Sequence, residues 1–221
     1  MTQSFIGHRR TSRQTAREET RGAILDAAEH LLTCYGYGKM TMNDLAEEAE
    51  VGVGTIYLHF PGKADIAVAA IARANQAVIE RQEYTAVSDA PVEARLREVL
   101  TQRVFLRLDR VCRQRHTLEE LRTAIREQSG LREQATLWRA RETELVAGLL
   151  AAGQDDGSFE IAGDIARTAD ALLGATEAFL PRNLTQANLE EPQRVREQVK
   201  AIVELLLRAI RRPWHCVSDG T

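Results

Sequence analysis

The sequence predicts an all-α protein with an N-terminal domain built around a helix-turn-helix and a separate C-terminal helical domain. Ala, Leu, Glu and Arg dominate the 221 residues, and all four favour helix. Apolar residues recur at helical spacing, whereas no alternating run of Val, Ile and Thr bounded by turns indicates a strand. The 5 prolines are few enough to leave long helices uninterrupted.

The first segment is basic, and residues 1–17 are predicted to form a flexible arm. Glu18 and Glu19 oppose a larger group of arginines: Arg9, Arg10, Arg13, Arg17 and Arg21. A periodic helix then begins at Arg21 and ends at Gly36. Its apolar stripe consists of Ile24, Leu25, Ala28, Leu31, Leu32 and Tyr35.

Two short helices follow and form the predicted helix-turn-helix at about residues 41–60. Thr41 and Asp44 have the spacing of a capping box, which starts the first of them. Residues 50–52 form a tight turn, and residues 53–60 form the second short helix. That helix is expected to bury Val53, Ile56 and Phe60. A short helix in this arrangement can enter a DNA major groove, which is about 12 Å wide.

The remaining chain is predicted to be helical up to a polar tail. A long helix covers about residues 63–83, and Asp164 is a good N-cap for a later one. Pro181 and Pro213 end helices, and Pro192 lies in the first turn of another. The expected helices after the long one are 92–110, 117–128, 131–152, 164–180 and 191–211.

Residues 18–78 resemble the N-terminal domain of TetR-family regulators. The resemblance is carried by four runs: residues 21–28, 35–37, 40–46 and 51–63. Its most specific part reads Gly-Thr-Ile-Tyr-x-x-Phe-x-x-Lys and starts at Gly54. The rest of the chain is similar to the family only in layout.

This resemblance implies a domain organisation and a function. Residues 18–78 would bind DNA, residues 79–212 would sense a ligand and form a homodimer, and residues 213–221 would be a tail. The implied activity is a repressor that a small-molecule effector releases from a palindromic double-stranded DNA operator. The alternative is an activator, or a DNA-binding protein of the same fold that senses no ligand.

The resemblance also assigns DNA-contacting roles to single residues. The expected set is Thr41, Val53, Gly54, Thr55, Tyr57, Leu58, His59 and Lys63. Thr41 and Thr55 would donate hydroxyl protons to phosphates, and Tyr57 would lie on the DNA. His59 and Lys63 would contact phosphates as well. Hydroxyl, imidazole and ammonium groups are all suitable donors to phosphate oxygens.

Four residues near the turn define the expected surface further. Gly54 would let the backbone approach DNA closely. Val53 stands where a polar base reader is common, so its readout would be apolar, for example to a thymine methyl group. Leu58 replaces a common aromatic residue. Glu50 replaces a common turn glycine, which implies either modest strain or a different turn.

The C-terminal half offers candidates for a dimer interface and for a ligand pocket. The two last long helices have broad apolar faces, which would pair with a second copy or else form internal core. The dimer candidates are Leu172, Phe179, Val199, Ile202 and Leu206. The pocket candidates, for which core packing is the alternative, are Phe105, Cys112 and Trp138. Three nearby arginines are candidates for holding an anion, although surface exposure is the default: Arg103, Arg107 and Arg141.

Several classes of function find no support in the sequence. No catalytic arrangement can be assembled, so an enzyme is not expected, and neither is a scaffold that binds only protein. The histidines and the 3 cysteines lack metal-ligand spacing, and no cofactor motif occurs. No apolar stretch approaches the length of a membrane span, so a cytoplasmic, nucleoid-associated bacterial protein is expected. One objection to DNA binding is charge: three basic and seven acidic residues lie between Thr20 and Ile66.

Overall fold

The computed structural model describes residues 4–113 and 129–211, with side chains for 12–113 and 134–211. Its α-helices are α1 Ser4–Cys34, α2 Gly36–Lys39, α3 Met42–Glu48, α4 Val53–His59, α5 Lys63–Ala86, α6 Val92–Arg113, α7 Ser129–Asp155, α8 Ile165–Glu177, α9 Gln186–Glu190 and α10 Pro192–Ile210. Within the described ranges, the β-type pairing is a single bridge between Phe159 and Arg211. The all-α prediction is confirmed. The predicted helix 117–128 and the tail 213–221 lie outside the described residues.

The chain divides into two compact units. The N-terminal unit comprises Met1–Ala74 with Arg113–Leu131, and the C-terminal unit comprises Asn75–Cys112 with Arg132–Thr221. The division falls inside α5, a few residues before the predicted domain boundary at 78. Each unit has its own hydrophobic core.

The core of the N-terminal unit comes from the predicted apolar stripes of α1, α3 and α4. Leu45 of α3 and Ile56 of α4 are fully buried, and Phe60 is nearly so. They pack against the apolar face of α1 and the first turns of α5: Ile24, Leu25, Ala28, Leu31, Leu32, Ile66 and Ala70. Each fully buried aliphatic side chain stabilises the unit by about 1.5–3 kcal/mol, so this core holds α4 in place.

The first helix is longer than the sequence predicts. The structure has α1 begin at Ser4 rather than near Arg21, so the segment 4–17 of the predicted flexible arm is helical. No Gly or Pro occurs between Gly7 and Gly22, and the residues there are mostly helix formers such as Arg, Gln, Glu and Ala. The helix ends at Cys34, whose side chain is exposed. Gly36 follows with a φ of 80° and terminates it as expected.

The C-terminal unit packs α6, α7, α8 and α10 around one apolar core. Leu100 of α6, Leu150 of α7, Leu173 of α8 and Val203 of α10 are among its buried members. Phe159 lies so close to Gly153 that a Cβ there would come within 2.0 Å of its ring. A glycine at the end of α7 is therefore required by the packing of that ring.

The sequence predicted the start of α8 correctly but not its end. Asp164 accepts a hydrogen bond from the backbone N–H of Arg167 at 2.7 Å, which confirms it as the N-cap of α8. This helix ends at Glu177, earlier than predicted, and a 3₁₀ turn starts at Pro181. Along the part of the chain that the structure describes, no helix is long and apolar enough to span a bilayer.

Candidate nucleic-acid interface

Hydrogen bonds fix the start of α3 and the turn that leads from α3 to α4. The predicted capping box is present: Thr41 Oγ1 accepts from Asp44 N at 3.2 Å, and Asp44 Oδ2 accepts from Thr41 N at 2.9 Å. Past α3, Val51 N donates to Ala46 O at 3.0 Å. Glu50 has a φ of 53°, a left-handed conformation that costs a non-glycine residue about 1–2 kcal/mol. Of the two outcomes expected from the missing glycine, modest strain or a different turn, the backbone at Glu50 shows the strain.

Helix α4 presents apolar side chains outwards although its other face is anchored in the core. Ile56 and Phe60 bury the inner face, while Tyr57 is 55% exposed and Leu58 is 77% exposed. Gly54 is exposed as well, and a Cβ at this position would meet no atom within 4 Å. Packing within the chain therefore does not explain why residue 54 is glycine. An external surface that approaches the backbone closely would explain it.

Three other residues of the predicted contact set have small side chains and differ in their exposure. Thr41 is exposed, and Val53 and Thr55 are half-buried. Because the Thr41 oxygen accepts the capping bond, its hydroxyl proton is left to donate elsewhere. Val53 also packs partly against the core of the N-terminal unit.

Lys63 has a partner inside the N-terminal unit. Its Nζ donates to the Tyr37 carbonyl oxygen at 3.0 Å and lies 4.4 Å from the centroid of the Tyr37 ring. The side chain is half-buried at the start of α5. An ammonium group has three N–H bonds, so the predicted phosphate contact would use those that remain. This internal role was not apparent from the sequence, because the two residues lie 26 positions apart.

Basic side chains of α1 converge on the end of α4. The Arg21 guanidinium lies 4.8 Å from the centroid of the Phe60 ring. Burial lowers the pKa of His59 below its usual 6.5, and the positive charges of Arg17 and Arg21 lower it further. These charges therefore act close to His59, the last residue of α4. The sequence analysis assigned Arg17 to a flexible arm and Arg21 to the start of the first helix, and it placed neither beside α4.

The three pocket candidates differ in their exposure. Phe105 is half-buried in α6, and the Arg196 guanidinium lies 4.7 Å from its ring centroid. Cys112, two turns further along α6, is exposed, with its Sγ 3.9 Å from the Leu189 carbonyl oxygen. Trp138 is half-buried in α7. Burial raises the pKa of the Cys112 thiol, and Asp109 raises it further.

Arg103 and Arg107 belong to a buried ion network in the C-terminal unit, whereas surface exposure was the default expectation. Arg103 is almost fully buried and donates to Glu142 at 2.8 Å, to Glu177 at 2.6 Å and to Thr176 at 3.0 Å. Arg107 donates to the second oxygen of Glu142 at 3.0 Å. Since acids already surround Arg103, it is not available to hold an anionic ligand. The default of surface exposure is wrong for Arg103; Arg141 is exposed and pairs with Glu83.

The five dimer candidates divide between the core and the surface. Leu172 and Val199 are buried within the single chain, as the internal-core alternative expects. Phe179, Ile202 and Leu206 are half-buried. The most exposed large apolar residue of α10 is Leu205, at 64%, which the sequence analysis did not single out. Small residues of α8 are also exposed, namely Ala166, Ala171 and Gly174, as is Ala178 directly after it.

The helix-turn-helix region matches a known family. Residues 24–70 match the family of bacterial regulatory proteins called tetR. The HTH-type transcriptional repressor KstR of Rhodococcus jostii (strain RHA1) is 45% identical over 58 residues, which is 26% of this chain and 27% of that protein. The match thus spans about a quarter of the relative's length.

Solved structures share the fold of most of the chain. A transcriptional regulator from Cytophaga hutchinsonii ATCC 33406 superposes with a TM-score of 0.69 at 18% identity, covering 86% of this chain and 97% of the other. The regulator FadR of Bacillus subtilis, solved with stearoyl-CoA, has a TM-score of 0.55 at 22% identity and covers 86% and 98%. These likenesses establish the fold, and the family match covers the helix-turn-helix. Residues 24–70 are therefore similar to the tetR family of bacterial regulatory proteins, and most of the chain shares its fold with solved regulators.

Proposed function

We propose that this protein is a DNA-binding transcriptional regulator in which α4 enters the major groove. The observation that carries the proposal is the outer face of α4. Tyr57 and Leu58 are exposed on a helix whose other side is fixed by Ile56 and Phe60, and Gly54 leaves room for a close approach. A rigid helix that exposes apolar and hydroxyl groups is suited to contact base edges and phosphates.

The chain is proposed to act as a homodimer on a palindromic operator. A two-fold dimer would place two copies of α4 one helical turn of DNA apart, about 34–36 Å. The surface of α8 and α10 supports this arrangement, because exposed Leu205 and half-buried Ile202 lie on α10 and small residues are exposed on α8. Small side chains let helices approach one another closely, and Leu205 supplies apolar area to bury.

The regulator is further proposed to be a repressor that a small-molecule effector releases. KstR is a repressor, and FadR was solved with a bound stearoyl-CoA, so both properties occur among similar proteins. The effector would bind the C-terminal unit more tightly in a state that does not fit the operator. A coupling of about 1–3 kcal/mol between the two sites is typical of such regulation.

A selection experiment tests DNA binding directly. Duplexes bound by the protein are enriched from a random-sequence library, and the affinity for the enriched duplex is measured by fluorescence anisotropy. Tyr57→Ala is expected to lower the affinity at least about tenfold, since tyrosine contacts are lost. Tyr84→Ala, which removes an equally exposed tyrosine from the C-terminal unit, serves as the matched control. Equal affinities for Tyr57→Ala and the wild type would contradict the proposal.

Gly54→Ala separates stability from binding. Alanine is favoured over glycine in a helix by about 0.5–1 kcal/mol, and its Cβ meets open space, so the variant should unfold at a higher temperature than the wild type. Its affinity for the enriched duplex should nevertheless fall, because the methyl group keeps the backbone away from the DNA. A variant that is both more stable and equally tight in binding would argue against α4 as the groove-binding helix.

A further inference from the structure

Two arginines of α1 carry charges that no acid among the described residues pairs with. Arg17 and Arg21 are exposed, and neither forms an ion pair with any residue that the structure describes. Arg73, another arginine of the N-terminal unit, is by contrast bound to Asp26 at 2.7 Å and to Glu29 at 3.2 Å. Among the described residues, α1 is therefore one place in this unit where positive charge is left available for an outside partner.

The geometry brings these charges to one place. Arg17 and Arg21 are four residues apart in a continuous helix, so they share one face of α1. The Arg21 guanidinium lies over the Phe60 ring, and both arginines act electrostatically on His59. Three cationic or proton-donating groups from two helices are therefore gathered at the C-terminal end of α4.

Other charged groups near His59 are few. On α1, Glu18 and Glu19 follow Arg17 directly, so the helix turns them about 100° and 200° away from it. At the start of α5, the Lys63 ammonium is engaged by Tyr37, and Asp65 lies in the first turn. None of these groups is an ion-pair partner of Arg17 or Arg21 in the described structure. An external anion is the partner that this arrangement lacks.

We propose that Arg17, Arg21 and His59 form a binding site for a DNA backbone phosphate, built by α1 beside the helix-turn-helix. This inference rests on the proposed function and adds to it that the ordered first helix, rather than a flexible arm, contacts the DNA. It also answers the charge objection: the net acidic domain presents a locally positive edge next to α4. Guanidinium groups suit a phosphate because their planar N–H donors match its oxygens.

The site has a consequence for pH. In the free protein, burial and the two arginines keep the pKa of His59 below 6.5, so the imidazole is mostly neutral near neutral pH. A bound phosphate offsets the arginine charges and accepts a hydrogen bond from the protonated ring, which raises the pKa of His59. DNA binding then takes up a proton, and affinity is expected to rise as the pH falls from about 8 to about 6.

A salt titration tests the phosphate contacts without knowledge of the operator. The full-length protein binds a random-sequence duplex of about 30 base pairs, and affinity is measured from about 50 to about 200 mM salt. Each phosphate contact contributes about 0.9 to the slope of log affinity against log salt, so Arg17→Gln should reduce that slope by about one. Arg17→Lys should restore it. Arg167→Gln removes an exposed charge from α8 and should leave the slope unchanged.

The same probe gives the pH readout. His59→Gln should bind with an affinity that is independent of pH over this range, whereas the wild type should bind more tightly at the lower pH. The inference would be overturned if Arg17→Gln had the same slope of log affinity against log salt as the wild type, or if His59→Gln had the same pH dependence of affinity. Either result would leave the proposed function intact. If the wild type showed no salt-dependent binding to any duplex, the proposed function itself would fail.

Discussion

Lys63 donates to the carbonyl oxygen of Tyr37 at 3.0 Å and covers the ring of the same residue at 4.4 Å. One side chain thus ties the start of α5 to α2 by a charged hydrogen bond and a cation–π contact. The family resemblance implies a phosphate contact for this lysine, but the structure shows that it also stabilises the domain.

Lys63→Met tests that stabilising role. The substitution keeps most of the aliphatic stem and removes both interactions, so the free energy of unfolding should fall by about 1–2 kcal/mol. Lys39→Met, at an exposed lysine of the same unit, should change it by less than about 0.5 kcal/mol. Urea unfolding of the three proteins measures the difference. Equal loss in the two variants would show that the contacts to Tyr37 contribute nothing.

Glu50→Gly should make the protein more stable. Residue 50 has a φ of 53°, which glycine adopts without the Cβ clash that glutamate suffers. The expected gain in the free energy of unfolding is about 1 kcal/mol. Glu50→Gln removes the charge but keeps the Cβ, and it should leave the stability near the wild-type value. A gain of the same size in both variants would mean that charge, and not backbone strain, is relieved.

Glu142→Gln should strongly destabilise the C-terminal unit. Its carboxylate bridges Arg103 and Arg107 in a buried site, and its loss leaves both arginines without their shared counter-ion. Breaking one partner of a buried ion pair costs about 3–5 kcal/mol. Glu144→Gln, at an exposed position of the same helix, is the matched control and should cost little. Similar melting temperatures for the two variants would contradict the structural role of the network.

Acid should unfold the protein partly through two carboxylates. The hydrogen bond from Arg211 lowers the pKa of Glu93 below its usual 4.5. Burial alone would raise the pKa of Glu177, but the hydrogen bond from Arg103 and the charge of Arg182 outweigh it and lower that pKa. Both groups hold fewer protons when folded, so their stabilisation is present above 4.5 and is lost as the pH falls through the lowered pKa values.

The measurement is the free energy of unfolding at successive pH values below 4.5, in the wild type and in a Glu93→Gln/Glu177→Gln double variant. The wild type should lose more stability on acidification than the double variant. Parallel curves would show that other groups control the acid transition.

Local patterns in the sequence predicted the helix-turn-helix well. The capping box at Thr41 and the burial of Ile56 and Phe60 depend on residues within a few positions of each other, which spacing alone reveals. The unfavourable backbone at Glu50 was one of the two outcomes that a non-glycine residue at this turn predicted. Interactions between residues that lie a few positions apart could thus be predicted from the sequence.

Long-range contacts could not be predicted in the same way. Arg103 meets Glu142 and Glu177 across 39 and 74 positions, and an arginine in an amphipathic helix is ordinarily solvent-exposed. The helical form of the basic first segment also escaped prediction, because charge suggested disorder while the residue types favoured helix. The positions of Arg17 and Arg21 beside His59 depend on that form and could be found only from the structure.

The exposed thiols of Cys34 and Cys112 lie in different units of the chain. With Cys216→Ser, they become two native attachment points for a donor and an acceptor fluorophore. The raised pKa of Cys112 slows its alkylation at neutral pH, so the two dyes can be introduced in sequence by choosing the pH of each step. Energy transfer between them would then report in real time whether DNA or a metabolite changes the spacing of the two units.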